Sequence, residues 1–226
     1  MSTSLVIVEW YVAILLLGLA GSIMLMKLGV GCVTAWAGGR VIGLLIVALT
    51  IWWAGWAGIE SWIELGEAIA VTMVVLGAAQ VFALRHGIRK ILLVECFFLA
   101  GFLFVLVVRS SMPEILHTEK FMDLGIMTGL LKSDQLPPMD IWMSGRTLQF
   151  YYFGPLTWVV PVSISGMSVE VAYNLIVATV GGLIFMLAWA IGLGIYGSRL
   201  SALLCVFFCG IAGTYDGLRQ AFTGHG

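Results

Sequence analysis

Two carboxylates four residues apart, Glu119 and Asp123, are the residues in this chain whose types and spacing could do chemistry. They lie in the stretch from Arg109 to Pro155, the only long segment that carries charge of both signs. Between Ser110 and Phe150 it holds five acids (Glu114, Glu119, Asp123, Asp134, Asp140) and three bases (Lys120, Lys132, Arg146). On a helix, positions i and i+4 share a face, so both carboxylates project together, and like charges at that spacing repel mildly. A metal, a bound hydroxyl or a basic partner would favour the pair. Paired carboxylates also suit general base catalysis, where one takes a proton from a nucleophile and the other orients it. A solvated helix face screened by Lys120 is the plain alternative, and spacing alone leaves both open.

Other residues of the stretch have two readings each. Ser111-Met112-Pro113-Glu114 reads as a helix start, with Ser111 as N-cap and Glu114 at the capping-box position. Arg109 would anchor to headgroups or meet a lipid phosphate. Pro137-Pro138-Met139-Asp140 reads as an extended turn, because a residue before proline is pushed out of helical geometry. From that turn Asp140 either points into a site or caps the next helix. Phe150-Tyr151-Tyr152-Phe153 is an aromatic run that reads as an interfacial belt or as a substrate platform. His117 is the one histidine of the stretch, which argues against a histidine-based metal site. The four cysteines (Cys32, Cys96, Cys205, Cys209) form no Cys-x-x-Cys pair and read as small apolar packing residues. Cys205 and Cys209 share a helix face at a spacing that disfavours a disulfide.

The elements that must hold these residues are membrane helices. The chain has 226 residues, 61% hydrophobic and 10% charged, with a mean hydropathy of +1.08. A soluble domain carries about 25% charged residues, and a span needs roughly 20 apolar residues. The net charge of −1 gives no basic face for nucleic acid. The apolar N-terminus lacks the basic start and small-residue cleavage site of a signal peptide and reads as a retained helix. Apolar segments fall at about Leu5–Met26, Val41–Trp56, Ala68–Leu84, Ile91–Val108, Val171–Tyr196 and Leu200–Ala212, with a short, proline-broken piece at Tyr151–Ile164. The expected fold is therefore all-α and polytopic, without a β-sheet. Residues 1–108 supply four membrane helices, 109–168 a loop of short surface-lying helices, and 169–226 two further helices and a tail.

Lys and Arg mark the cytoplasmic side. The short basic connection Arg85–Lys90 should face the cytoplasm, with the weakly basic linker Lys27–Arg40 on the same side. The acidic connection Glu60, Glu64, Glu67, beside Trp52, Trp53, Trp56 and Trp62, should face outward as part of an aromatic belt. The loop 109–168 is then extracytoplasmic and the protein sits in the cell membrane. If Tyr151–Ile164 lies along the outer surface rather than crossing, Arg199 falls inside, as the rule requires. Glu95, within the fourth helix, is a functional candidate as a membrane-embedded acid or a local ion-pair partner of Arg89 and Lys90.

The spaced pattern Arg109…Pro113-Glu114…Thr118-Glu119-Lys120…Met122-Asp123…Pro137-Pro138-x-Asp140-x-Trp142…Gly145…Tyr151-Tyr152-Phe153-Gly154…Tyr173-Asn174 resembles the uncharacterised "YYY" membrane proteins. That family is in turn similar to the GT-C superfamily of membrane glycosyltransferases. Two departures are Phe150, where the first tyrosine of the triplet is expected, and Ile141, where the family tends to have proline. The resemblance implies transfer of a sugar from a polyprenyl-phosphate-linked donor to an extracytoplasmic acceptor. Glu119 and Asp123 would form the acidic motif, with one as base and the other orienting it or holding a divalent ion. Asp140 is a further catalytic candidate. Arg109, Lys120, Arg146, Tyr151 and Tyr152 are candidates for binding substrate and phosphate, since fixed cations stabilise charge on a leaving phosphate. Because members of that family are longer, the chain is expected to correspond to their N-terminal part. Membrane lipids are the expected surroundings. A different class of function, a non-catalytic subunit packing through Gly-rich helices into a larger membrane assembly, is motivated by the 28 glycines. A transporter is a weaker third class.

Overall fold

The computed structural model describes residues 3–78, 87–111, 113–115, 118–149 and 151–212. Eight helices follow one another in this part of the chain: α1 (Thr3–Lys27), α2 (Cys32–Trp56), α3 (Trp62–Ala78), α4 (Ile88–Ser111), α5 (Thr118–Leu131), α6 (Phe153–Ser165), α7 (Val169–Tyr196) and α8 (Arg199–Gly210). No strand occurs among the described residues; an isolated antiparallel bridge, Met139 to Thr147, closes the turn between α5 and α6. Four helices, α1, α2, α4 and α7, are long and apolar enough to cross a membrane. The all-α polytopic expectation stands. Within the described residues α3 and α8 are shorter, at 17 and 12 residues. The basic connection at Arg85 and His86, His117, Phe150 and the tail 213–226 lie outside the described residues.

Small residues set the helix packing, because in lipid close backbone approach replaces the hydrophobic drive. At the α1–α2 crossing a Cβ on Gly39 would meet Ser22 Oγ and the Gly18 carbonyl, and one on Gly21 would meet the Gly39 carbonyl. Where α4 crosses α7, a Cβ on Gly101 would meet the Gly181 carbonyl and the Phe185 ring. Phe97 and Trp189 stack beside it with ring centroids 4.1 Å apart.

Short connections bring the ends of α2 and α3 together, and the bond from Arg109 to Asn174 ties the end of α4 to the start of α7. α6 lies against this end of the bundle. Its first residue, Phe153, meets Trp52 of α2 edge to face, and Ser163, near its last, donates to Glu67 of α3 at 2.6 Å. At 13 residues α6 is shorter than a span, and Phe153 and Ser163 both touch residues near the turn between α2 and α3. It is not a loose surface helix either, since Leu156, Val159, Val160 and Val162 are buried against the spans.

Three expectations about local structure change. Helix α2 begins at Cys32, so Arg40 belongs to a span and not to a linker; it is 1% exposed. Ser111 ends α4 instead of capping a new helix, its hydroxyl donating back to the Val107 carbonyl, and Glu114 sits in irregular chain before α5. A run of apolar residues carries α4 on through Val107 and Val108, which outweighs the local capping signal. Trp62 is 0% exposed and packs in the core, whereas Trp53 and Trp56 remain exposed as a belt would be.

Candidate active site

Helix α5 presents one buried stripe, Ile126, Met127 and Leu130, and packs through it on α6 and α7. Asp123 lies three and four residues before Ile126 and Met127, so helical periodicity places it at the head of this stripe. It is half-buried, while Glu119, one turn earlier, is exposed. Asp123 lines a cavity of about 330 Å³ between α5, α6 and α7, together with Met127, Tyr151, Trp158, Tyr173 and Val180. The cavity is polar at Asp123, Tyr151 and Tyr173 and apolar along Ile176, Val177 and Val180, which span about one turn of α7. Glu119 is not among its lining residues. Of the expected carboxylate pair, only Asp123 faces the cavity.

The Tyr151 hydroxyl donates a long bond, 3.4 Å, to Asp123 Oδ1. Burial raises the Asp123 carboxyl above the ordinary aspartate range, the nearby charge of Glu119 pushes the same way, and the bond from Tyr151 opposes them. Desolvation raises the Tyr151 phenol above its ordinary range and the Asp123 charge pushes the same way, so Tyr151 remains a donor. Arg109, Asp123 and Tyr151 all lie close enough to Tyr173 to act on its hydroxyl electrostatically. The groups that act on the Asp123 carboxyl itself, Tyr151 and Glu119, include no cation.

Arg109 is itself held. Its Nε donates to Asn174 Oδ1 at 2.9 Å, and its Nη2 reaches Asn174 and the Pro113 and Glu114 carbonyls. Asn174 Nδ2 also donates to the Pro113 carbonyl, at 3.2 Å. The pair fixes the chain leading from α4 into α5. Tyr173 and Asn174, part of the quoted pattern, were not singled out as site residues; their position in the first turns of α7, opposite the acidic helix, was the available signal.

The remaining candidates lie elsewhere. Asp140 Oδ1 accepts from the Trp142 and Met143 amides at 2.8 and 3.1 Å, so it fixes its own turn, and no helix follows there. In place of the expected proline, Ile141 fits the notch that Gly125 and Gly129 leave on α5. Arg146 is exposed in the same turn, and Lys120 is exposed on α5. Tyr152 is buried, its hydroxyl accepting from Trp52 Nε1 at 3.1 Å and Trp56 Nε1 at 3.0 Å. No group of three or more His, Cys, Asp or Glu that could hold a metal gathers among the described residues. Glu119 and Asp123, without a third donor, are a poor fit for a divalent ion.

Glu95 makes an ion pair, but with Arg40 of α2 rather than with Arg89 or Lys90. Arg40 Nη2 donates to Glu95 Oε1 at 2.7 Å and Nη1 to Oε2 at 3.1 Å. Tyr11 donates to Oε1 at 2.6 Å and Trp36 Nε1 to Oε2 at 2.8 Å. The guanidinium lies 4.1 Å over the Phe98 ring. This cluster joins α1, α2 and α4. Arg40 was hidden at the sequence level because a single arginine at the edge of an apolar run also reads as the end of a loop.

No curated protein and no solved structure matches the chain. A family match covers residues 46–226, from the middle of α2 through the Asp123 cavity and beyond it, and the chain accordingly belongs to the family described as Uncharacterized membrane protein (DUF2298).

Proposed function

We propose that this protein transfers a sugar from a lipid-phosphate donor to a hydroxyl acceptor on the extracytoplasmic side, in the manner of the GT-C enzymes it resembles. The observation that carries the reading is the cavity at Asp123, which joins one partly buried carboxylate to an apolar channel along α7. A donor with a charged head and a long hydrocarbon tail has that same polarity. Its tail would lie along Ile176, Val177 and Val180, and its phosphate would sit toward Tyr151, Tyr173 and the Arg109 guanidinium.

In the reaction, the Asp123 carboxylate takes the proton from the acceptor hydroxyl. The acceptor oxygen forms a bond to the anomeric carbon as the bond from that carbon to the phosphate oxygen breaks. The electron pair leaves with the lipid phosphate, whose added negative charge the Arg109 cation offsets. A carboxyl raised above the ordinary aspartate range is a better base than a fully solvated one. Glu119 keeps that value high by its charge, and Arg109, held by Asn174, keeps the phosphate in register.

The test is release of free polyprenyl phosphate from a polyprenyl-phosphate-linked hexose by the protein in lipid nanodiscs, with water or an added alcohol as acceptor. Asp123→Asn should slow release by about 100-fold, the size of a general-base contribution, and leave binding of the lipid unchanged. No release by the wild type, together with stoichiometric partner subunits on purification, would favour the non-catalytic subunit instead.

A further inference from the structure

A second cavity lies on the other side of Tyr151. It holds about 490 Å³ and is lined by Trp52, Trp56, Gln149, Tyr151, Tyr152 and Phe153, over a base that includes Leu148. Tyr151 thus forms a partition, since it also lines the Asp123 cavity and its hydroxyl points to that carboxylate. The rings of the second cavity are fixed in place. Trp52 and Trp56 both donate to the Tyr152 hydroxyl, and Trp52 meets Trp56 and Phe153 edge to face.

We propose that this aromatic cleft binds a neutral pyranose ring and is the acceptor subsite of the transferase, an assignment that rests on the function proposed above. Among the described residues no charged side chain lines the cleft, and the ligand its walls suit is uncharged. Its walls are the faces of indole and phenol rings, which pack against the apolar C–H face of a sugar, and their fixed orientation lowers the ordering cost of binding. The polar groups are few and placed at the edges: the Gln149 amide, whose Nε2 is 3.2 Å from Thr147 Oγ1, and the tyrosine hydroxyls. Few polar groups on an apolar wall are the usual pattern of a small-ligand site, and the volume falls in the usual range. A quaternary ammonium headgroup would also stack on such rings, but among the described residues no acid lines this cleft to neutralise it. Tyr151 is common to both cavities and donates to Asp123, which is the link between the cleft and the proposed base.

The experiment is ligand-observed NMR on the protein in nanodiscs, titrated with a panel of neutral methyl pyranosides and, separately, with phosphocholine. At least one pyranoside should bind saturably. Trp56→Ala should weaken it by about tenfold, and Gln149→Ala, an exposed change that leaves the packing intact, should weaken it by a smaller factor. Asp123→Asn should leave this binding unchanged while slowing release of polyprenyl phosphate by about 100-fold. Saturable binding with no release by the wild type would remove the transferase reading, and with it the acceptor role, while leaving a saccharide site. Absence of saturable binding by every pyranoside would overturn the site itself, as would equal binding by the wild type and both cleft variants, or binding of phosphocholine alone.

Discussion

Glu95→Ala should destabilise this protein more than any other single side-chain truncation in its spans, and the reason is the cation it leaves behind. Glu95 accepts four hydrogen bonds, two from Arg40 and one each from Tyr11 and Trp36. Hydrogen bonds between membrane helices average only about 0.6 kcal/mol each, so the Tyr11 and Trp36 bonds together supply roughly 1 kcal/mol. The larger effect is electrostatic. Arg40 is 1% exposed, and removing one member of a buried pair costs about 3–5 kcal/mol because the other charge is left uncompensated. For a protein of this size 1 kcal/mol shifts the melting temperature by about 2–4 °C, so a loss of roughly 10 °C is expected in detergent by tryptophan fluorescence. Glu95→Gln keeps an acceptor for only one of Tyr11 and Trp36, which bond to different carboxylate oxygens, and still strands the cation; it should fall between wild type and Glu95→Ala. Arg40→Met combined with Glu95→Gln removes the stranded charge and should recover most of the loss, since replacing both members of a buried pair is often near neutral. If the double variant melts no higher than Glu95→Gln alone, the cost does not come from a buried cation and the reasoning fails.

Tyr151→Phe removes the donor that opposes the upward shift of Asp123. For the proposed transfer, the acid limb of the pH–rate profile should therefore move to higher pH, while the plateau changes little; a downward move would mean that Tyr151 does not donate to Asp123. A raised carboxyl favours its protonated form, so the ionised Asp123 costs stability above its folded pKa and nothing below the ordinary aspartate range. Asp123→Asn should accordingly melt slightly above wild type at neutral pH, and the two should converge as the pH falls into that range. Arg109→Ala and Asn174→Ala break the same contact, so their effects on melting should be similar and the double variant should add almost nothing, as a double-mutant cycle reads coupled residues. Gly39→Val drives a branched side chain into Ser22 and the Gly18 carbonyl and should cost about 1–3 kcal/mol, the usual range for overpacking, read as a lower melting temperature.

The membrane helices were legible because twenty apolar residues in a row have few other uses, and the error lay in their ends. Val41 looked like the start of α2 because Arg40 is charged, yet the charge is matched by Glu95, which lies 55 residues further along the chain. No local rule finds such a partner, so a buried charge and a loop charge read alike. The acidic helix was legible as well, and the spacing of Glu119 and Asp123 was right about their sharing a helix. It did not tell which of them faces protein. That answer was present in the next turn and a half, where Ile126, Met127 and Leu130 continue the stripe that Asp123 begins and Glu119 does not extend into burial. Asp140 shows the opposite difficulty. An aspartate after two prolines serves a site or its own turn equally well in sequence, and only the amides of Trp142 and Met143 decide for the turn.

The polar core and the cavity are linked through α1 and α7, which bears on what holds Asp123 in place. Trp10, one residue before Tyr11 of the Arg40–Glu95 cluster, donates to Thr179 of α7 at 2.9 Å. Its indole also stacks on Trp158 of α6 with centroids 6.4 Å apart, and Trp158 is a wall of the Asp123 cavity. Thr179 sits beside Val180 at the apolar end of that same cavity. One side chain therefore fixes two of the three helices that enclose the carboxylate, and it does so from the span that the buried ion pair secures. A bilayer offers no hydrophobic drive to press α6 onto α7, so a defined cavity at the membrane end needs directional bonds of this kind. Loss of the Trp10 indole should loosen α6 against α7 without touching Asp123, whereas loss of Tyr11 should weaken the ion-pair cluster and leave the cavity wall in place.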